Sequence, residues 1–429
     1  MRYFLSRYLH KKPINNRFQK ISFILVIVIL CGFPFYTFGQ QAISLPEAIE
    51  RTLSYHPDLK TYDYQKQVFQ GTVQQAGAKS IPQINLTLEE GFGTGDYSGL
   101  RQAQTSLSIS WLLDQKLIKS RVNTALVESK RLPFECESKV LDLAAKTADY
   151  FIAALINQEK LAIAQQANQQ TYSHLKAIAK RVAVGKSSGV DKLRAKAKLA
   201  QQKLITENIQ QQLVLSKQQL FSQWQGAIKN IPLQGKLRQL SEIPKLGTLQ
   251  HYINNNPQIK LFSIQKDIAQ SKINLARISA RPSWELTAGI RRSEATNDYA
   301  LLAGISIPFG GKNRYQGKIQ ALKAKQQQYQ AESEAWKSAL SVQLSLLIAQ
   351  LNYDKRVIKS LEKQVIPLLK QAVRKAKQAY YIGQYSYTEW SVIQQDLFKT
   401  QMELIDVYHS FHLNNIELER LTGRILPAR

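Results

Sequence analysis

The chain of 429 residues repeats itself at an offset near 200. Pro57 and Pro82 are 25 residues apart, and so are Pro257 and Pro282. Leu53-Ser-Tyr-His-Pro57-Asp-Leu59 aligns with Ile253-Asn-Asn-Asn-Pro257-Gln-Ile259. Ser108-Ile109 aligns with Ser306-Ile307 and Gly185 with Gly383, now at an offset of 198. Six residues after each of those glycines stands a carboxylate, Asp191 and Glu389. A register held over four landmarks is a duplication, so the fold must be built from two like units.

Each unit changes its hydrophobic period. Helical spacing opens the first, with Leu45-Pro46-Glu47 at a helix start and Ala48, Ile49 and Leu53 on one face. A second helix is predicted from Asp58 to Ala78. The period then falls to two. Ile84, Leu86 and Leu88 alternate with Gln83, Asn85, Thr87 and Glu89, and after a glycine-rich loop Leu107, Ile109, Trp111 and Leu113 alternate with Ser106, Ser108 and Ser110. The second unit does the same. Trp284, Leu286, Ala288 and Ile290 alternate with Glu285, Thr287 and Arg291, and Tyr299, Leu301, Ala303, Ile305, Ile307 and Phe309 form the next apolar row. The expected strands are about 81–91, 103–113, 282–291 and 299–309.

Long helical stretches follow each hairpin, 117–182 and 313–381, each about 100 Å long at 1.5 Å per residue. Pro133 and Pro367 should bend or break them. Turns at Gly185–Gly189 and Gly383–Tyr387 lead into return helices, 191–225 and 389–421. The short helices before the hairpin and after the turn together match one long helix in length, so they can stack end to end beside it. The predicted organisation is a leader over 1–39, a first repeat over 40–226, a linker over 227–245 and a second repeat over 246–429.

The leader reads as a secretory signal peptide. Six basic residues precede the apolar run Ile21 to Leu30, and Thr37-Phe-Gly39 supplies small residues for cleavage. A membrane anchor is the competing reading, but Gly32, Pro34 and Thr37 interrupt a segment that barely reaches spanning length. Cys31 follows Leu30, where a lipidation signal wants a small residue, so acylation is not expected. The mature chain keeps one cysteine, Cys136, and hence no internal disulfide. Its net charge is +21, from 52 basic and 31 acidic residues. These charges stand singly along helices rather than in a stripe, which reads as solvated helix faces, in lesser part as attraction to lipid phosphate, and not as a nucleic-acid interface.

The four amphipathic strands carry the strongest constraint. Their apolar rows need a partner layer, and the sequence offers no other strands. Strands of nine to eleven residues suit an outer-membrane barrel. An open sheet edge is not tolerated in lipid, and four strands cannot close a barrel. Subunits must therefore contribute four strands each, with the Ser- and Asn-bearing rows facing a watery lumen and the helices leading away as a tube.

Enzyme chemistry is not expected, nor is a cofactor. Gly91, Gly93 and Gly95 lack the following Lys-Ser/Thr and helix of a phosphate loop. His409 and His412 have the i, i+3 spacing of metal ligands without a completing cluster. One methionine, Met402, remains in the mature chain, which excludes a methionine copper relay. No nucleophile–base constellation is present.

These residues together resemble the outer-membrane efflux proteins of the TolC type over essentially the whole mature chain. The matching patterns are Leu45-Pro-Glu-Ala48 with His56-Pro57, Lys79-Ser-Ile-Pro-Gln83 entering the first strand, Arg181-x-x-x-Gly185 followed by Asp191-x-Leu193-x-Ala195, and Tyr381-Ile-Gly383 with Glu389. The resemblance implies a mainly α chain with a membrane β-barrel: a homotrimer whose twelve strands close the barrel above an α-helical tunnel. It implies an outer-membrane location extending into the periplasm, and partnership with a periplasmic adaptor and an inner-membrane transporter. Glu89-Glu-Gly-Phe-Gly with Ser110-Trp111 looks most like the cobalt–zinc–cadmium branch. By the match, Gly185, Gly189 and Gly383 lie at periplasmic tip turns that touch the adaptor, and Asp191 and Glu389 are candidate entrance carboxylates. Rings of acids favour cations; the same residues also suit helix N-caps or first-turn acids stabilised by the helix dipole. Where the family can carry a further carboxylate three residues on, this chain has Arg194 and Val392.

The function expected is an efflux channel for small molecules or metal cations. Two alternatives stay open: the outer channel of a type I protein secretion system, and an exported coiled-coil scaffold or adhesin that uses only the helices.

Overall fold

A computed structural model describes residues 42–226, 231–245, 247, 252–254, 256–310 and 313–423. The expected leader over 1–39, with Cys31, lies outside the described residues. The first proline of each repeated pair, Pro57 and Pro257, starts a helix, while Pro82 and Pro282 stand just ahead of strands. Helix α1 (Leu45–Tyr55) carries Pro46 in its first turn, and α2 (Pro57–Ala76) begins on Pro57 with His56 Nδ1 accepting the Asp58 N–H at 3.2 Å. In the second unit the helix Pro257–Ser279 begins on the matching proline, and Asn256 Oδ1 accepts the Gln258 N–H at 2.9 Å. A proline costs nothing there because its missing donor has no helical acceptor to meet.

The first long stretch, expected over 117–182 with a bend or break at Pro133, is two helices, α3 (Gln115–Ser129) and α4 (Leu132–Ala183). The break falls at Lys130-Arg131, just ahead of Pro133, whose ring excludes the preceding helical carbonyl. The return helix is α5 (Gly189–Ser222), and Pro257–Ser279 is α6. The second long stretch is α7 (Gln316–Ser360), a π turn (Leu361–Val365) and α8 (Ile366–Tyr381), followed by the return helix α9 (Tyr387–Thr422). The Ile366 N–H reaches back to the Leu361 carbonyl, widening the helix where Pro367 supplies no donor. Helix α2 lies along α3 and α5 along α4; α6 and α9 lie along α7. Short helices thus run in sequence beside each long one.

Two short strands were not foreseen, β1 (Ile43–Ser44) and β4 (Leu233–Gln234), which pair in parallel. Two residues each give no alternation to detect. They show that 231–245 is not a slack linker: Leu233 and Leu237 are buried in the main core with Phe151, Leu344, Tyr408 and Phe411. Lys217 Nζ also donates to the Ile231 carbonyl.

The two hairpins form one antiparallel sheet in the order β2 (Gln83–Glu89), β3 (Gln104–Leu113), β5 (Trp284–Ser293), β6 (Asp298–Ser306). The register aligns every apolar row. Leu86 pairs with Leu107, Leu107 with Ile290, and Ile290 with Leu301; Trp111 pairs with Leu286, which pairs with Ile305. Directly opposed residues share a face, so one side of the sheet is apolar from the Leu113–Trp284 pair to the Leu107–Ile290–Leu301 row, with Thr105 and Arg292 beyond it. That side is bare in the single chain: Ile84 and Leu86 are each 74% exposed and Leu301 90%. The other side is polar and linked across strands. Ser110 accepts from Asn85 at 3.2 Å and lies 3.1 Å from the Thr287 hydroxyl. Arg291 spans three strands, donating to Ser106 at 3.0 Å, Gln104 at 3.1 Å and Glu89 at 3.1 Å. Gly289 sits on this polar side against Ser108, whose Cβ a side chain there would meet at 2.7 Å. Only glycine permits that approach. The strands β2 and β6 are left as unpaired edges.

Candidate functional site

At the end of the helices remote from the sheet, the two turns meet. Ala183 ends α4, and Gly185 takes φ +71° while the Lys186 N–H bonds the Arg181 carbonyl at 2.8 Å. In the second unit Gly383 takes φ +81° and the Gln384 N–H bonds the Ala379 carbonyl at 2.9 Å. Both are helix ends closed by a bond from the second residue past the cap, with glycine in the left-handed position that side chains resist. Gly189 differs from them: it is the first residue of α5, outside the positive-φ set, with open space around it. It has no conformational role in the turn.

Both carboxylates are capping residues. Ser188 Oγ accepts the Val190 N–H at 3.1 Å, and Asp191 reaches back to the Ser188 N–H at 3.4 Å and accepts from Ser187 Oγ at 3.0 Å. Ser386 Oγ accepts the Glu389 N–H at 3.2 Å, while Glu389 accepts from the Ser386 N–H and hydroxyl, both at 2.8 Å. These are reciprocal capping boxes, the second reading the sequence offered for this spacing. The Ser386 backbone N–H, then its hydroxyl, hold the Glu389 carboxyl below the ordinary carboxylate range. At the positions three residues on, Arg194 donates to Thr388 Oγ1 at 2.7 Å, whereas Val392 is exposed.

Sequence reading missed what joins the turns. A small core of Ile178, Ala195, Ala376, Tyr380, Tyr387 and Trp390 is shared between the units. Tyr380 stacks on Trp390 with ring centroids 5.1 Å apart, and the His174 ring packs on Trp390 at 4.3 Å. Burial, then Lys377, pushes His174 down to about 4. Arg181 donates to the Tyr381 carbonyl at 3.1 Å and to the Lys186 carbonyl at 3.3 Å, with its guanidinium 5.0 Å from the Tyr380 ring centre. An aromatic run Tyr-Tyr at 380–381 and an arginine 200 residues earlier leave no local signal of this contact.

Other candidates do not assemble. His412 Nε2 lies 2.7 Å from the Leu237 carbonyl, and burial lowers both His409 and His412. Among the described residues no group of three or more His, Cys, Asp or Glu could hold a metal, and no helix is long and apolar enough to cross a membrane. Burial raises the Cys136 thiol, the opposite of an activated nucleophile.

Comparison with known proteins matches this geometry. The outer membrane efflux protein family matches residues 48–224 and 248–424, one segment in each repeat. The cobalt-zinc-cadmium resistance protein CzcC of Cupriavidus metallidurans is 25% identical over 286 residues, 66% of this chain and 68% of its own length. Among solved structures, CusC, described for its folding and transmembrane channel formation, aligns at TM-score 0.73 with 19% identity over 89% of this chain and 92% of its own. The open state of the Neisseria gonorrhoeae outer membrane channel MtrE aligns at 0.70 with 15% identity over 89% of each.

Proposed function

The chain belongs to the outer membrane efflux protein family, and from that premise we propose that it works as a homotrimeric channel in a tripartite pump, exporting heavy-metal cations or small molecules from the periplasm. The observation that carries this is the sheet. Its four strands present one predominantly apolar face and one hydrogen-bonded polar face, and both edges are open. Water would not leave that face bare, and lipid would not leave those edges unpaired. Joining β6 of one copy to β2 of the next pairs the edges, lipid covers the apolar face, and three copies give a twelve-stranded barrel, within the size range of such barrels. A coiled-coil scaffold gives the apolar face no role.

The helices of each copy then continue the barrel into the periplasm, ending at the paired turns. The turns at Gly185 and Gly383, with the neighbouring Gly189, are proposed to meet a periplasmic adaptor that couples the tube to an inner-membrane transporter. The name of the CzcC relative supports cobalt, zinc or cadmium as cargo. Deleting the gene and scoring growth on cobalt, zinc and cadmium salts tests the cargo; unchanged tolerance to all three removes it. Mobility of unheated against boiled protein in detergent gels, with mass by light scattering, tests the assembly. A monomer with no heat-dependent shift ends the channel reading.

A further inference from the structure

Residues 174–203 and 370–399 form the turn-proximal part of both helical pairs. Together they hold fourteen Lys and Arg against three acids, Asp191, Glu389 and Asp396. Along the chain this excess looks dispersed, because the two segments are some 200 residues apart. The fold brings them together through the Trp390 core and the Arg181–Tyr381 bond.

The charge is not cancelled locally. Arg194 rests on the neutral Thr388 hydroxyl, Lys198 on the neutral Gln395 side chain at 2.8 Å, and Arg181 on carbonyls and aromatic faces. The ion pairs of the described residues lie elsewhere; the Lys160–Asp406 bridge is farther up the helices. Two of the acids are engaged in capping boxes. Nor is the charge confined to one side. At 3.6 residues per turn, Lys192, Lys196 and Lys203 share one side of α5, and Arg194 and Lys198 share the opposed side. Whichever side faces the axis of an assembled tube is basic. Neighbouring cations already feel one another: burial lowers Lys198 first and Lys399 lowers it further.

We infer that the periplasmic entrance is electropositive and favours net-negative solutes over free cations. The inference rests on the channel reading and refines its cargo: a metal would enter more readily in an anionic complex than as a bare ion. Rings of Lys and Arg are the usual lining of anion-selective pores, while Asp191 and Glu389 are too few to reverse the sign.

The test is reversal potential of the purified full-length channel in a planar bilayer under a potassium chloride gradient at about 0.1 M or below, where fixed charges act over at least about 10 Å before they are screened. Chloride should be preferred over potassium. The variant Lys192→Gln/Lys196→Gln/Lys375→Gln should lower the chloride-to-potassium permeability ratio at least about twofold, whereas Lys318→Gln/Lys323→Gln/Lys337→Gln, on α7 near the sheet, should change it much less. A cation preference in the unaltered channel, or an equal shift in both variants, overturns the inference. Absence of any step conductance overturns the channel reading instead.

Discussion

The Arg181 guanidinium donates to the main-chain carbonyl of Tyr381 at 3.1 Å, joining two helix ends 200 residues apart. The same group holds the Lys186 carbonyl at 3.3 Å, so one side chain fastens both turns. Its Nε has no partner among the described residues, and its face lies against Tyr380, so charge and ring carry the rest of the contact.

Replacing Arg181 by Ala is expected to loosen the turns without unfolding the tube. Bonds from a charged donor contribute about 1.5–3 kcal/mol each when shielded, and less here because the site is half-exposed. Amide exchange in 181–191 and 379–389 should rise, while the Phe151–Phe411 core stays protected. Arg181→Lys should recover only part of the protection, since an ammonium cannot hold two carbonyls in the guanidinium's planar fork.

The three turn glycines should respond differently. Gly185→Ala and Gly383→Ala each force a side chain into the left-handed region, at about 1–2 kcal/mol. Gly189→Ala places a better helix former in a helical position with open space and should be neutral or slightly stabilising. Thermal unfolding in detergent separates them; equal losses at all three would show that the turn geometry is not the cause.

Acid should weaken the joined turns through His174. Its folded value near 4 lies below the ordinary value near 6.5, so the fold favours the neutral ring. That contribution is complete above about pH 6.5 and is lost progressively as pH falls toward 4. Exchange protection around Trp390, corrected for intrinsic rates, should drop over that window. His174→Phe keeps a ring against Trp390 and should flatten the pH dependence; a profile identical to the unaltered protein would assign the effect elsewhere.

The two faces of the sheet should tolerate charge unequally. Ala288→Arg places a guanidinium on the apolar face at mid-strand, costing about 2–4 kcal/mol in a bilayer, and should reduce assembled protein in the outer membrane. Gln83→Lys, on the polar face, should assemble normally and change single-channel conductance. Equal assembly of both variants in heat-modifiability gels would refute the assignment of inside and outside.

Much of the architecture was legible because it rests on local periodicity. The alternation around Ile84–Leu88 and Trp284–Ile290 fixed which residues share a face, and Pro46 marked a helix start. Asp191 and Glu389 were legible as helix N-caps or first-turn acids, and the structure adds Ser188 and Ser386 as the N-caps they pair with. The sequence could not show β1 and β4, whose pairing depends on a partner 190 residues away. Nor could it show that 231–245 is anchored, since Leu233 and Leu237 carry no period.

By itself, then, the sequence determined two copies of a helix–hairpin–helix unit and an amphipathic sheet that no single chain can satisfy, because hydrophobic period is written residue by residue. Tertiary structure alone decided that β3 pairs with β5 to merge the hairpins, that Pro367 is absorbed by a π turn, and that Arg181 meets Tyr381. Those depend on contacts between segments remote along the chain, where packing, not local preference, selects the partner. The same convergence turns scattered lysines into one concentrated field, since charge acts through space.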